Sequence, residues 1–240
     1  MTWLWAICFS VLLGWPAAGA TVAGSVLLED SRVPAVRKHR DYSGVVVWLE
    51  PVHPDPAGYA PAGVSRARME QKDKQFGPHV LAVEAGTSVS FPNLDPIFHS
   101  AFSNFSGQVF DLGLYAPGSS RNITFTRTGV VRIFCNIHPS MSAIIVVLKV
   151  PWFATSDSAG AFTISSVPPG EYYLNVFHER AIGKTLEALR RRITVTDSNQ
   201  DVAPIAISET GYVEALHKNK YGQEYPPPPG DAGAYPGHRK

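Results

Sequence analysis

Short runs of β-branched and aromatic residues, separated by Gly, Pro, Asn and Asp, dominate the hydrophobic pattern of this chain. Apolar runs of this length, bounded by turn residues, are typical of β-strands. A helical period is confined to 185–192. The spacing of the runs predicts an all-β protein, built as a sandwich or a barrel. The clearest strand-like runs lie at 44–49, 80–83, 87–91, 122–125, 130–134 and 143–148.

Composition divides the predicted strands into two groups. Between Phe76 and Lys149 the sequence contains seven charged residues and eight of the twelve Phe, which sets this stretch apart from the rest of the chain. The stretch before it is rich in Pro, Ala and Gly, so it predicts a linker over 56–72. A second β unit is expected at 150–208, where Asp–Gly and Pro-Pro-Gly turns separate alternating strands.

The N-terminal residues have the features of an export signal. Leu4 to Trp15 form an apolar run that is too short to span a bilayer, and Ala18-Gly19-Ala20 matches a cleavage site. We therefore expect a periplasmic or secreted protein that begins near Thr21. No Lys or Arg precedes the run, so an uncleaved membrane anchor is the alternative.

A possible metal-binding stretch follows the strand-like run at 130–134. Within seven residues it contains Cys135, His138 and Met141, and a second imidazole, His99, lies upstream. Two His, one Cys and a weak axial Met are the ligands of a mononuclear electron-transfer copper site. Cleavage of the signal would leave Cys135 as the one thiol of the chain, with no partner for an intrachain disulfide.

Three alternatives to this copper site stay open from the residues alone. Zinc also binds Cys and His. As a fourth ligand, however, it prefers a second thiolate or a group harder than the thioether of Met. His79 competes with His99 as the upstream imidazole. The same Cys, His and Met residues would also suit an ordinary core and turn.

The stretch from Phe76 to Leu148 resembles the type 1 copper cupredoxins, such as plastocyanin, pseudoazurin and amicyanin, which are Greek-key β-barrels. The ligand loop has the amicyanin spacing Cys-x-x-His-Pro-x-Met. The resemblance implies that Cys135, His138, Met141 and His99 bind one type 1 copper ion, and that three residues surround them. Those residues are Asn93, Pro139 and Ser100, the last at a position where the family usually has Asn.

Two further resemblances concern the rest of the chain. Residues 69–178 resemble exported plastocyanin-like proteins that are often labelled methylamine utilisation proteins. Residues 157–174 resemble the later strands of a carboxypeptidase regulatory-like, transthyretin-type sandwich, whose earlier strands we expect before the barrel. The predicted domains are a signal peptide (1–20), the first part of this small sandwich (21–55), a linker (56–72), the cupredoxin barrel (73–149), the second part of the sandwich (150–208) and a Pro-rich disordered tail (209–240).

These features predict an exported carrier of single electrons between redox partner proteins. The partners are expected to dock on an apolar patch around His138, with contributions from Pro139 and Phe102. A copper-trafficking protein without electron transfer is one alternative, and an adhesion protein with a degenerate copper site is another. The net charge of +1 argues against nucleic acid as a partner. No catalytic motif is found, so no enzyme is expected, and His178 is interpreted as an ordinary strand-end residue.

Overall fold

A computed structural model describes residues 19–55, 59, 65–104, 107–213 and 217–225. The apolar run predicted to be the signal-peptide core lies outside these residues, as does the run of prolines at 226–229. Within the described part of the chain, no helix has the length and apolar character needed to cross a membrane.

Eighteen strands and two short helices make up the regular structure of the described residues. The helices have six and seven residues, so the prediction of an all-β protein is confirmed. In chain order the elements are β1 (Ala20–Glu29), α1 (Pro34–His39), β2 (Val46–Pro51), β3 (Arg66–Arg68), β4 (Glu70–Lys72), β5 (Gln75–Gly77), β6 (Val80–Glu84), β7 (Thr87–Pro92), β8 (His99–Ser103), β9 (Phe110–Tyr115), β10 (Ser120–Phe125), β11 (Gly129–Phe134), β12 (Ser142–Leu148), β13 (Phe153–Thr155), β14 (Ala161–Val167), β15 (Gly170–Phe177), α2 (Gly183–Leu189), β16 (Arg191–Val195), β17 (Gln200–Asp201) and β18 (Ile205–Ser208).

Two of the sheets join strands from the beginning of the chain to strands that follow residue 150. One has the order β14-β1-β17, with β18 also paired to β1, and the other has the order β13-β2-β15-β16. Val22 of β1 lies opposite Ile164 of β14, and both side chains are buried in a common apolar core. Leu49 of β2 and Leu174 of β15 complete the centre of this core.

The strands between residues 66 and 148 form the remaining sheets. A five-stranded sheet has the order β6-β12-β11-β8-β9, and a three-stranded sheet has the order β10-β7-β3. Between them lies a core with the fully buried Phe91, Phe125 and Ile133. Because β8 and β11 are neighbours, the first residue of β8 and the end of β11 lie close together. The site described below forms at this position.

Strand β12 is buried on both faces. Its residues Ile145 and Val147 belong to the core between the two sheets just described. Its other face, with Ile144 and Val146, packs with Val46 of β2 in a separate apolar cluster. A strand covered on both faces has no polar alternation, which explains the continuous apolar run seen here in the sequence.

Two local predictions need correction. The linker predicted over 56–72 was too long, because β3 pairs with β7 and the side chain of Met69 is fully buried. Strands of three residues with charged outward side chains give no recognisable alternation. The helix predicted over 185–192 ends as α2 at Leu189, because Arg191 begins the edge strand β16.

Candidate metal centre

Three of the four predicted ligands lie around one point. Nδ1 of His99 is 3.9 Å from Sγ of Cys135, and Nδ1 of His138 is 3.7 Å from the same sulfur. The ligand atoms of these residues all lie within 4.8 Å of one another. Among the described residues, no other group of three or more His, Cys, Asp and Glu has such an arrangement.

The fourth predicted ligand, Met141, closes the loop that follows β11. The N–H of Cys135 donates to the carbonyl of Met141 at 3.1 Å, and the N–H of Met141 donates to the carbonyl of His138 at 3.0 Å. Both Cys135 and Met141 are fully buried in the core between the sheets. Two backbone hydrogen bonds therefore fix the short segment that carries Cys, His and Met.

Ser100 connects β8 to this loop. Its Oγ accepts a hydrogen bond from the N–H of Asn136 at 2.8 Å and lies 3.8 Å from Sγ of Cys135. The resemblance implied Asn at this position in the family, and here a serine hydroxyl connects the strand to the loop. The side chain of Gln71 in turn donates to the carbonyl of Ser100 at 3.0 Å.

Sequence reasoning missed Asp95, which holds the ring of His99. Oδ2 of Asp95 lies 2.7 Å from Nε2 of His99, whose side chain is fully buried. The carboxylate also accepts the N–H groups of Asp73 and Lys74 at 2.7 and 2.9 Å. A carboxylate on one ring nitrogen fixes the tautomer and orientation of the imidazole, so that Nδ1 faces the sulfur. The signal in the sequence that could have identified this contact was an acidic residue four positions before His99. It lies in a turn whose conformation the sequence does not specify.

Of the residues predicted to surround the ligands, Asn93 is buried and Pro139 is exposed. Oδ1 of Asn93 accepts the N–H of Asp95 at 3.1 Å, so Asn93 shapes the turn that carries the carboxylate. Pro139 is exposed beside His138. The prediction that Phe102 contributes to a docking patch was wrong. It is 2% exposed, because its ring packs on Phe134 of the neighbouring strand.

His79, the alternative to His99, lies apart from this group. Its Nε2 is 2.7 Å from a carboxylate oxygen of Glu179. His178 likewise bonds to a carboxylate, that of Glu209, at 2.9 Å. Both histidines therefore belong to other hydrogen-bonded groups of the described structure.

The surroundings of Cys135 favour its thiolate. Burial raises the pKa of the thiol, but the hydrogen bond with His99 and nearby backbone N–H groups outweigh burial and lower the pKa to about 6. For His99, burial lowers the pKa, whereas Cys135 and Asp95 raise it, and the net shift is upward. The thiolate, which is the form that binds metals, is therefore available at neutral pH.

A C-terminal segment also reaches this region. The hydroxyl of Tyr225 donates to the carbonyl of Cys135 at 2.7 Å, and the N–H of Lys220 donates to the side chain of Asn136 at 2.9 Å. The sequence predicted a disordered tail from 209 onward and gave no indication of this contact. Residues 214–216 and 226–240 of that prediction lie outside the described residues.

No protein-family model matches the sequence, and a comparison with curated proteins gives no match either. Among solved structures, a purple cupredoxin from Nitrosopumilus maritimus is similar, with 22% identity over 34% of this chain and 99% of that chain, at a TM-score of 0.32. Amicyanin from Paracoccus versutus has 19% identity over 42% and 97%, at 0.33.

A copper-containing nitrite reductase from Thermus scotoductus has 27% identity over 42% of this chain, at a TM-score of 0.34. The match spans 28% of that longer protein. The neighbours are thus cupredoxins and a copper enzyme. All three TM-scores lie below 0.5, so the likeness does not decide the function of this chain.

Proposed function

We propose that the protein is a mononuclear type 1 copper protein that carries single electrons between redox partners. One observation carries this proposal: the Nδ1 atoms of two imidazoles lie 3.7 and 3.9 Å from the sulfur of Cys135. A soft thiolate favours Cu(I), whereas imidazole suits either oxidation state. These Cys and His ligands therefore suit a metal that gains and loses one electron while keeping the same ligands.

The residues present fit this metal. His99, Cys135 and His138 would hold copper, with the thioether of Met141 as a weak fourth donor. Bound copper would supply one-electron redox chemistry at this position. Zinc is a poorer match, because the described cluster contains one thiolate and Met is a weak ligand for zinc.

The chain restrains the donor atoms before any metal binds. Asp95 fixes the ring of His99, and the backbone bonds between Cys135 and Met141 fix the loop. Ser100 ties the loop to β8. Ligands held in place by such surrounding hydrogen bonds reorganise little on a change of charge, which favours rapid electron transfer.

Electrons would enter and leave at the partly exposed His138. Two apolar side chains adjacent in sequence to the ligand histidines, Ile137 and Phe98, are 43% and 52% exposed. We propose that redox partners dock on this apolar surface, with Pro139 beside it. Electrostatic steering would then be weak, so the rate of electron transfer should change little with ionic strength. A steep fall of the rate with salt would argue against apolar docking.

The decisive experiment adds Cu(II) to the purified metal-free protein and records visible and EPR spectra. An intense thiolate-to-copper charge-transfer band with narrow hyperfine splitting is expected. Cys135→Ser should abolish it, whereas His79→Gln should not, because His79 lies outside the cluster. A colourless, rapidly exchanging adduct would favour copper trafficking. Failure of the folded protein to bind copper would refute the proposal and favour an adhesion role.

We further propose that the protein is exported, acts as a carrier rather than an enzyme, and belongs to the methylamine utilisation protein-like group. The sheets formed by β1, β2 and the strands after residue 150 would be its carboxypeptidase regulatory-like sandwich. The N-terminal sequence of protein recovered from the periplasm checks the export proposal. It should begin near Thr21 if the signal is cleaved.

A further inference from the structure

The C-terminal segment (residues 217–225) lies against the end of β11, where the thiol is attached. The ring of His217 stacks on that of Phe134, the residue before the thiol, with centroids 4.2 Å apart and planes inclined by 28°. Lys220 bonds through its N–H to Asn136, the residue after the thiol, and through Nζ to Asp111 at 2.8 Å. The segment therefore contacts the residues on both sides of Cys135.

The carbonyl of Cys135 itself accepts the Tyr225 hydroxyl at 2.7 Å. Because this hydroxyl donates its only proton to the carbonyl, its oxygen can accept from Nδ1 of His217, 3.2 Å away. The two side chains form a hydrogen-bonded chain that ends at the backbone of the thiol residue. Bonds in such a chain polarise one another, and each donates toward Cys135.

We propose that the C-terminal segment is an intramolecular clamp on the backbone of Cys135, with Tyr225 as a positioning residue that raises the reduction potential of the site. This inference rests on the proposed copper function. The reduced site carries one more negative charge than the oxidised site. The Tyr225 hydroxyl bonds to the carbonyl of Cys135 and not to its sulfur, so it acts on the site through the dipole of its O–H group. Because the positive end of this dipole points toward the residue that carries the thiolate, it stabilises the reduced form more than the oxidised form.

The first test compares copper-loaded wild-type protein with Tyr225→Phe, which keeps the ring and removes the hydroxyl. At a fixed applied potential the Cu(I):Cu(II) ratio should fall about threefold, which is less than the full effect of one hydrogen bond because the bond forms in both oxidation states. For a one-electron couple this equals a decrease of about 28 mV. Tyr221→Phe is the matched control, since Tyr221 lies in the same segment and is 71% exposed. An unchanged or higher potential in Tyr225→Phe overturns the inference.

The second test needs no copper. The side chain of Cys135 is fully buried, so alkylation of its thiol by iodoacetamide requires local opening of the structure. Loss of the Tyr225 hydrogen bond should raise the alkylation rate of the metal-free protein about fivefold. Lys220→Met, which removes the bond to Asp111 but keeps the Tyr225 hydroxyl, should raise the rate as well. Wild-type rates in both variants overturn the clamp.

The two tests separate failure of this inference from failure of the proposed function. If wild-type protein gives no charge-transfer band with Cu(II), the electron-carrier proposal fails. The alkylation rates alone then decide whether the C-terminal segment restrains Cys135. If the band is present and the potential of Tyr225→Phe equals that of wild type, the carrier proposal stands and the inference fails.

Discussion

Around the sulfur of Cys135, short-range contacts outweigh burial. Burial alone raises the pKa of a thiol, yet the hydrogen bond from His99 and the neighbouring N–H groups lower this pKa to about 6. The same contact raises the pKa of His99. The negative charge of the thiolate and a positive charge on the His99 ring therefore favour each other in the metal-free protein.

We expect the thiol of the folded, metal-free protein to ionise with a midpoint near 6, well below the ordinary value of about 8.5. The ultraviolet absorbance of the thiolate, measured as wild type minus Cys135→Ser, reports this titration. In His99→Gln the midpoint should rise, because a neutral amide replaces a ring that can carry positive charge. His178→Gln, a change at another buried imidazole, is the control. A wild-type midpoint above 8 would contradict the assigned contacts.

Asp95 acts on the site through His99. We expect Asp95→Asn to weaken copper affinity about 10–100-fold, because the ring loses the carboxylate that sets its tautomer. Competition with a Cu(I) chelator measures the effect. The control is Asp73→Asn, which removes an exposed carboxylate in the turn between β4 and β5 while its N–H still bonds to Asp95. Equal affinities of the two variants would show that the pair has no positioning role.

At the scale of elements, the site depends on the pairing of β8 with β11. Phe102 and Phe134 lie opposite each other, and this register brings His99, at the start of β8, to the loop after β11. The hydrogen bond from Asn136 to Ser100 extends the connection beyond the last strand pair. The loop is therefore held by one strand as well as by its own backbone bonds.

Ser100→Ala is expected to destabilise the metal-free protein by about 1–3 kcal/mol, because the N–H of Asn136 loses its partner near the core. Urea unfolding of the metal-free variants gives this free energy. Ser103→Ala is a matched control in the same strand, since the buried Oγ of Ser103 has no hydrogen-bond partner within the described residues. Its cost should be near zero. A similar loss in both variants would mean that the tether contributes nothing specific.

In the whole molecule, the five-stranded sheet that contains β12 packs against the sheet that contains β2 and β15. Val46 and Ile144 share one apolar cluster across this contact. Beside it, Nε2 of His79 bonds to Glu179, and Nδ1 of the same ring lies 3.1 Å from the carbonyl of Ser142. The contact thus contains a titratable pair. The hydrogen bond to Glu179 raises the pKa of His79 above its ordinary value, although burial opposes the shift.

This pair predicts a pH dependence of stability with a defined sign. The pKa of His79 is higher in the folded protein than in the unfolded chain. The pair therefore stabilises the fold fully below the unfolded pKa of about 6.5, and this stabilisation is lost as pH rises through the folded pKa. The difference in free energy of unfolding between wild type and His79→Gln should therefore shrink from pH 5.5 to pH 9. Its maximum should be about 1 kcal/mol or less, because the ring is 47% exposed.

Urea unfolding at several pH values measures this difference. Titration of His178, which is present in both proteins, cancels in the subtraction. Glu179→Gln should remove the same pH dependence. A difference that stays constant or grows with pH would show that His79 and Glu179 do not form this pair in solution.

Sequence determined the features that depend on neighbouring residues. Strand-like runs and turn residues predicted β2, β6, β7, β10, β11 and β12 to within two residues at each end, and the donor residues of one short loop identified the possible metal chemistry. His99 was also identified, although it lies 36 positions from the thiol. The resemblance implied it as a ligand, whereas the residues alone left His79 as an alternative.

The tertiary structure decided what depends on distant segments. Asp95 lies close to His99 in sequence, but only the buried turn directs its carboxylate onto the ring. Tyr225 lies 90 positions from Cys135, and the docking of β3 and the burial of Phe102 likewise depend on neighbouring strands. Hydrophobic periodicity specifies which face of a strand is buried. It does not specify which distant polar group meets another, because that follows from how the sheets bring remote segments together.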